Sequence, residues 1–201
     1  MNVFVESNFV IELAFRQEEY EFCTRIWQAA GPTTFALHLP QYALTEVFQT
    51  LRARREQRDD ARSYLLDEIG QHRREAESDG DAMDSLTAAL NDLLLTRRQV
   101  QTQQLYTIAA ELAESATTIP LTPAIIREAY EKAGQHGLAS QDSLVYASVL
   151  AGLRALPAGI ESLFVSRNKK DFGKAAIVEE LLALNCKYVT SFQAAAGKLR
   201  V

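Results

Sequence analysis

Apolar positions change period along this chain, and the changes divide it into alternating strands and helices. Val3, Phe4 and Val5 form an unbroken apolar run that predicts a short strand buried on both faces. Phe9, Val10, Leu13 and Ala14 then recur at helical spacing, predicting a helix over about 8–29, capped by Ser7 or Asn8 and stopped by Gly31-Pro32. A second buried strand is expected at 34–39. Pro40 opens the next helix, where Leu44, Val47, Phe48 and Leu51 surround Glu46. Apolar runs at 118–121, 162–166 and 186–189 predict three more strands. Among them, Thr122-Pro123 starts a helix with Ile125, Ile126, Ala129 and Tyr130 on one side, ended by Gly134 and Gly137. Ser140 is placed to cap another, with Leu144, Val145, Ser148 and Val149 on its inward face. A helix at about 175–184 and a tail helix from Ser191 complete the pattern. Such alternation predicts an α/β fold with a parallel sheet covered on both faces, because parallel crossovers need a dozen or more residues and usually run through a helix.

The middle of the chain breaks this rhythm. From about 52 to 84 it is charged, with Tyr64, Leu65, Leu66 and Ile69 as its apolar cluster and a turn at Ser78-Asp79-Gly80-Asp81. A long helix should follow, with one apolar stripe at Leu86, Leu90, Leu93 and Leu94 and another at Leu105, Ile108, Ala109 and Leu112. The polar interval 96–104 separates the stripes, so this segment is expected to project from the core or to meet a partner. The chain thus reads as one domain, 1–201, carrying a helical insertion at about 56–116.

Composition narrows the class. At 201 residues, 47% hydrophobic and 23% charged, the chain is an ordinary globular domain with room for a full core. A net charge of -5 does not advertise a nucleic-acid binder, so any such role must rest on local basic patches or on bound cations. Cys23 and Cys186 lie far apart and outside any metal-type spacing, which reads as reduced core thiols of a cytosolic protein. The amino terminus shows no basic leader before its apolar run, and no stretch approaches the roughly 18 apolar residues of a membrane span. A cytoplasmic protein with no membrane role is expected.

Four acids carry the candidate chemistry. Glu6 stands where the first strand runs out, and in an open α/β sheet the carboxyl ends of the strands line the ligand crevice. Glu46 sits among core-facing residues of the second helix, Asp142 in a first helical turn, and Asp171 after the fourth strand. Taken singly, each has an ordinary structural role: a helix cap, a helix rim, a dipole partner and a turn former. Gathered in one crevice they would repel, at about 3 kcal/mol per pair for a separation of about 5 Å and an effective dielectric of about 20. Either protons or divalent cations must offset that. His38, His72 and His136 are scattered, so an all-oxygen site for Mg²⁺ or Mn²⁺ fits best. Such a site suits phosphodiester hydrolysis.

In order and spacing, four stretches resemble the acidic motifs of PIN-domain ribonucleases. They are Val3-Phe4-Val5-Glu6-Ser7-Asn8, Leu39-Pro40 through Glu46, Leu138 to Ala147 around Asp142, and Phe164-Val165-Ser166-Arg167-Asn168 through Asp171-Phe172. The match spans about 1–55 and 117–190. The resemblance implies a three-layer α/β/α sandwich with a five-stranded parallel sheet, and a metal-dependent endoribonuclease. It implies that Glu6, Glu46, Asp142 and Asp171 line the Mg²⁺ or Mn²⁺ site, supported by Asn8, Ser166 and Asn168. Many relatives are toxins neutralised by a small antitoxin, and homodimers are usual among them. The family most often has Asp where this chain has Glu6, and relatives often place an acid at the position of Asn168.

Arg167, Lys169 and Lys170, with Lys174 close by, are candidate contacts for RNA phosphates. Arg52, Arg54, Arg55 and Arg58 are either a second phosphate-binding group or a solvated helix face paired with Glu56, Asp59 and Asp60. Arg73, Arg74, Arg97 and Arg98 are expected to face solvent or a partner. The competing class is a non-catalytic PIN-like module that binds RNA or a protein. An aspartyl-phosphate phosphatase is disfavoured, because no Asp follows the first strand to act as nucleophile.

Overall fold

The computed structural model describes residues 1–75 and 79–201, without the side chains of Thr96 and Arg97. Ser78, in the turn expected at 78–81, and the Arg97 side chain lie outside the described residues. The chain forms strands β1 (Asn2–Val5), β2 (Ala36–Pro40), β3 (Thr117–Ile119), β4 (Ser162–Val165) and β5 (Cys186–Val189). All pair in parallel, in the order β3-β2-β1-β4-β5.

Alternate residues of the central strands serve two different layers, which is why Val3-Phe4-Val5 and Leu163-Phe164-Val165 run apolar without a break. Val3, Val5, Leu37, Leu39, Leu163 and Val165 pack on one face beneath α1 (Ser7–Phe15), α2 (Tyr20–Ala29) and α10 (Phe192–Leu199). Phe4 and Phe164 point the other way, beneath α6 (Pro123–His136), α7 (Ser140–Arg154) and α9 (Ala175–Ala183). The expected three-layer α/β/α sandwich with a five-stranded parallel sheet is therefore what the chain forms. Helix α7 lies so close to the sheet that a Cβ on Gly152 would meet Phe4 and Ile119 at 2.7 Å. Cys23 and Cys186 are free and buried, as core thiols should be. Among the described residues no helix is long and apolar enough to cross a membrane.

Several boundaries differ from the periodicity. The helix expected over 8–29 is two helices, because Arg16 adopts a left-handed conformation (φ 47°) and the Glu12 carboxylate accepts the Glu19 amide at 2.8 Å. Glu6, and neither Ser7 nor Asn8, caps α1. Strand β2 begins at Ala36, β3 spans Thr117–Ile119, and Ala139 precedes α7 in place of Ser140. Ile125 and Ala129 of α6 are buried while Ile126 and Tyr130, one position round the helix, are exposed.

The segment expected as an insertion is an arm built on a single long helix, α3 (Gln41–His72), whose buried residues are Ala43, Val47 and Leu51 at its start. The chain returns through α4 (Gly80–Asn91), a π-helical turn (Asp92–Thr96) and α5 (Arg97–Ser115), which buries Leu105 and Leu112 in the core. Farther out the arm is held by polar contacts. Arg55 meets Thr102 and the Arg98 carbonyl, Arg58 donates to Gln101 Oε1 at 2.7 Å, and Arg62 donates to Asn91 Oδ1 at 2.8 Å. Arg98 pairs with Asp59 at 2.9 Å, and Arg73 pairs with Asp84. Arg52 pairs with Glu56 on the surface and Arg54 lies over the Phe15 ring. Arg52 thus pairs with Glu56 as a solvated helix face would, whereas Arg54, Arg55 and Arg58 are partly buried against Phe15 and α5.

Candidate active site

The strand order reverses between β1 and β4, and their carboxyl ends open the crevice that such reversals create. Val5 is in register with Val165, so Glu6 and Ser166 leave the sheet side by side. Glu6 is buried at 4% exposure. Its Oε2 accepts the Ser7 hydroxyl at 2.8 Å and the Asn8 amide at 3.1 Å, which caps α1. Its Oε1 is also buried and has no hydrogen-bond partner among the described residues. Burial raises the Glu6 carboxyl above its ordinary value, against the opposing pull of the Asn8 amide and the Ser7 and Ser166 hydroxyls.

Glu46 stands in the second turn of α3, half-buried. Burial first, opposed by Ser7, and then repulsion from Glu6 and Asp142 push its carboxyl up to about 7. Asp142 lies in the first turn of α7 and is raised by burial and by Asp171, while Asn168, Lys174 and Lys170 act in the opposite sense. Asp171 lies in the short helix α8 (Lys169–Phe172). Glu46 thus feels Glu6 and Asp142, and Asp142 feels Asp171.

Asn168 joins the last two. Its Nδ2 donates to Asp142 Oδ1 at 3.0 Å, its Oδ1 accepts the Asp171 amide at 3.3 Å, and its own amide donates to Ser166 Oγ at 3.0 Å. Asn8 contributes chiefly its main-chain amide to Glu6. Among the nearby cations, Arg167 is taken up by buried Glu12 and by Glu18, the latter at 2.7 Å. Lys174 is bound to Asp171 and to main-chain carbonyls, whereas Lys169 and Lys170 are exposed.

Two tyrosines at the site escaped the sequence reading. Burial raises the Tyr42 hydroxyl, and Glu46 and Asp142 add to that effect. Tyr188 donates to the Ser166 carbonyl at 3.0 Å, and burial together with Glu6 pushes its phenol up to about 12. The signal for Tyr42 was its spacing, four residues before Glu46 and so on the same helix face. Tyr188 carries no such signal, because its placement depends on the pairing of β5 with β4.

The donor chemistry suits a hard divalent cation. The acids offer oxygen, Glu6 Oε1 is a buried acceptor without a donor among the described residues, and Glu46, raised by Glu6 and Asp142, lies short of positive charge. The spacing is looser: among the described residues no group of three or more His, Cys, Asp or Glu side chains is placed to hold one ion.

No family model matches this chain, and no curated protein matches it. Among solved structures, it is similar to a chain in the crystal structure of VapBC2 from Rickettsia felis bound to a DNA fragment from their promoter. That match covers 94% of this chain and 98% of the other at 10% identity, with a TM-score of 0.46.

Proposed function

We infer that this chain is a PIN-like endoribonuclease that hydrolyses RNA phosphodiester bonds with the help of Mg²⁺ or Mn²⁺. The observation that carries this reading is the buried Glu6 Oε1 at the strand end, without a hydrogen-bond partner among the described residues, beside Glu46, whose carboxyl Glu6 and Asp142 help to raise. A structural cap needs one oxygen, and Glu6 caps α1 with Oε2 alone. Glu6 and Asp142 would be the central ligands, with Glu46 and Asp171 completing the set. When bound, the ion would supply a water that ionises near neutral pH and a counter-charge for the phosphate. Ser166 and Asn168 keep the acids at the two strand ends in register, and exposed Lys169 and Lys170 are the cations free to hold RNA phosphates. On the same reading the physiological setting is a toxin with a neutralising antitoxin, working in the cytoplasm as a homodimer.

The purified protein should cleave RNA with Mn²⁺ and stop with EDTA. Asp142→Asn should abolish cleavage while leaving the far-ultraviolet dichroism unchanged, and normal turnover in that variant would refute the assignment. A second reading, a PIN-like module that binds RNA or a protein without cutting, is favoured by the finding that among the described residues no three acids are placed around one ion. It expects RNA binding in EDTA and intact RNA in Mn²⁺.

A further inference from the structure

Lys174 belongs to the basic group that sequence placed beside Asp171, but its amine is engaged differently from its neighbours. Nζ lies 2.9 Å from the His136 carbonyl, 3.1 Å from the Gly137 carbonyl and 3.4 Å from Asp171 Oδ1. An ammonium group has three N–H donors, and three acceptors occupy them here. Lys169 and Lys170 are exposed, so phosphate contact falls to them before it falls to Lys174.

The two carbonyls mark the carboxyl end of α6, where the helix dipole is negative and Gly137 turns the chain with φ 59°. That end is itself anchored. His136 Nε2 lies 3.2 Å from Glu180 Oε2, Tyr146 donates to the same oxygen at 2.8 Å, and Lys132 pairs with Glu180 Oε1 at 2.5 Å. Three residues beyond Gly137 helix α7 begins, and its first turn carries Asp142. Lys174, at the amino-terminal cap of α9, therefore ties the segment that presents Asp142 to the side chain of Asp171. Asn168 is the other tie between the same two acids.

We propose that Lys174 is a positioning residue of the acidic site, fixing the separation of Asp142 and Asp171 by fastening the α6–α7 turn to the Asp171 carboxylate. The proposal rests on the four-acid reading and assigns Lys174 a part that charge alone would not give it. A cation beside a metal site repels the metal, so removing it purely as a charge should tighten Mn²⁺ binding. Removing a fastener should loosen it.

The test compares Lys174→Met, Lys174→Arg and Lys170→Met with the unaltered protein, using calorimetric titration with MnCl₂ and hydrogen exchange of the metal-free proteins. Lys174→Met should weaken Mn²⁺ binding about ten- to a hundredfold, the range found when a group orienting a metal ligand is lost. Exchange should quicken over 137–143 and 168–172 while the remainder of the chain stays protected. Lys174→Arg, which keeps charge and donors, should recover most of the affinity. Lys170→Met, which removes an equal charge near Asp142, should bind Mn²⁺ as tightly as the unaltered protein or more tightly. With RNA, Lys174→Met should lower kcat and leave KM within about twofold; a raised KM with kcat intact would mean phosphate contact and overturn the proposal. Equal or tighter Mn²⁺ binding by Lys174→Met, with the unaltered protein binding normally, defeats the role of Lys174 alone. Failure of the unaltered protein to bind Mn²⁺ at all defeats the four-acid reading and this proposal with it. Should Lys174→Met fail to fold, Lys174→Gln carries the same comparison.

Discussion

Glu46 and Glu180 are the same residue type, each half-buried on a helix that borders the sheet, yet their surroundings have opposite sign. Glu180 on α9 receives Lys132, His136 and Tyr146. Burial alone would raise its carboxyl, but those donors bring it below the ordinary value. Glu46 on α3 has Glu6 and Asp142 as its charged neighbours, opposed by a Ser7 hydroxyl whose proton is given to Glu6 Oε2, and it sits near 7. Folding has completed the surroundings of one carboxylate and left the other short of positive charge. The first pattern is that of a group that holds structure together, the second that of a group kept ready for a ligand.

The sharpest way to test this contrast is to neutralise each acid. Glu46→Gln should lower RNA cleavage by about a hundredfold or more, the scale of a lost metal-site group. Glu180→Gln should leave turnover per folded molecule within severalfold. In stability the order inverts. Glu180→Gln strips the shared partner from three groups, two of them well buried, and should cost about 2 kcal/mol in urea unfolding. Glu46→Gln should raise the stability of the metal-free protein by about 1 kcal/mol, allowing for solvent screening at a partly exposed site. A loss of stability in Glu46→Gln would break the comparison.

The pH dependence follows with opposite signs. Glu46 holds its proton more tightly folded, near 7, than unfolded, near 4.5, so between those values the native state carries more protons. Melting in EDTA should therefore show stability falling as pH rises through that window, by up to about 1.4 kcal/mol per pH unit for one proton. Saturating Mn²⁺ should flatten the slope. Glu180 behaves in the reverse manner, its contribution being present above 4.5 and lost as acid protonates it. Glu46→Gln should reduce the first slope, part of which stays with Glu6 and Asp142, whose carboxyls are raised as well, and leave the second. The smallest expected effect lies at the crevice mouth: Lys169→Met and Lys170→Met should each weaken RNA binding modestly and reduce the salt dependence of affinity by about one unit of slope.

Much of the frame was legible because burial on both faces writes itself as unbroken apolar runs, and Val3-Phe4-Val5 and Leu163-Phe164-Val165 are such runs. Strand ends were legible too, and with them the neighbourhood of Glu6 and of Asp171. Boundaries set by long-range contacts were not. The break after Phe15 depends on Glu12 reaching the Glu19 amide while Arg167, distant in sequence, pairs with it. That contact also engages Arg167, which by sequence stood beside Lys169 and Lys170 as an equal candidate for RNA.

What the chain determined locally is the alternation of elements and the order in which its acids fall at their ends, since hydrophobic period and helix-start chemistry act over a few residues. What tertiary structure decided is which of those charges finds a partner. Glu180 met Lys132 and His136 across a helix pair, while Glu6 Oε1 met no hydrogen-bond partner among the described residues. The reason is that desolvation and Coulomb attraction depend on distances between segments far apart in sequence, and folding alone sets those distances.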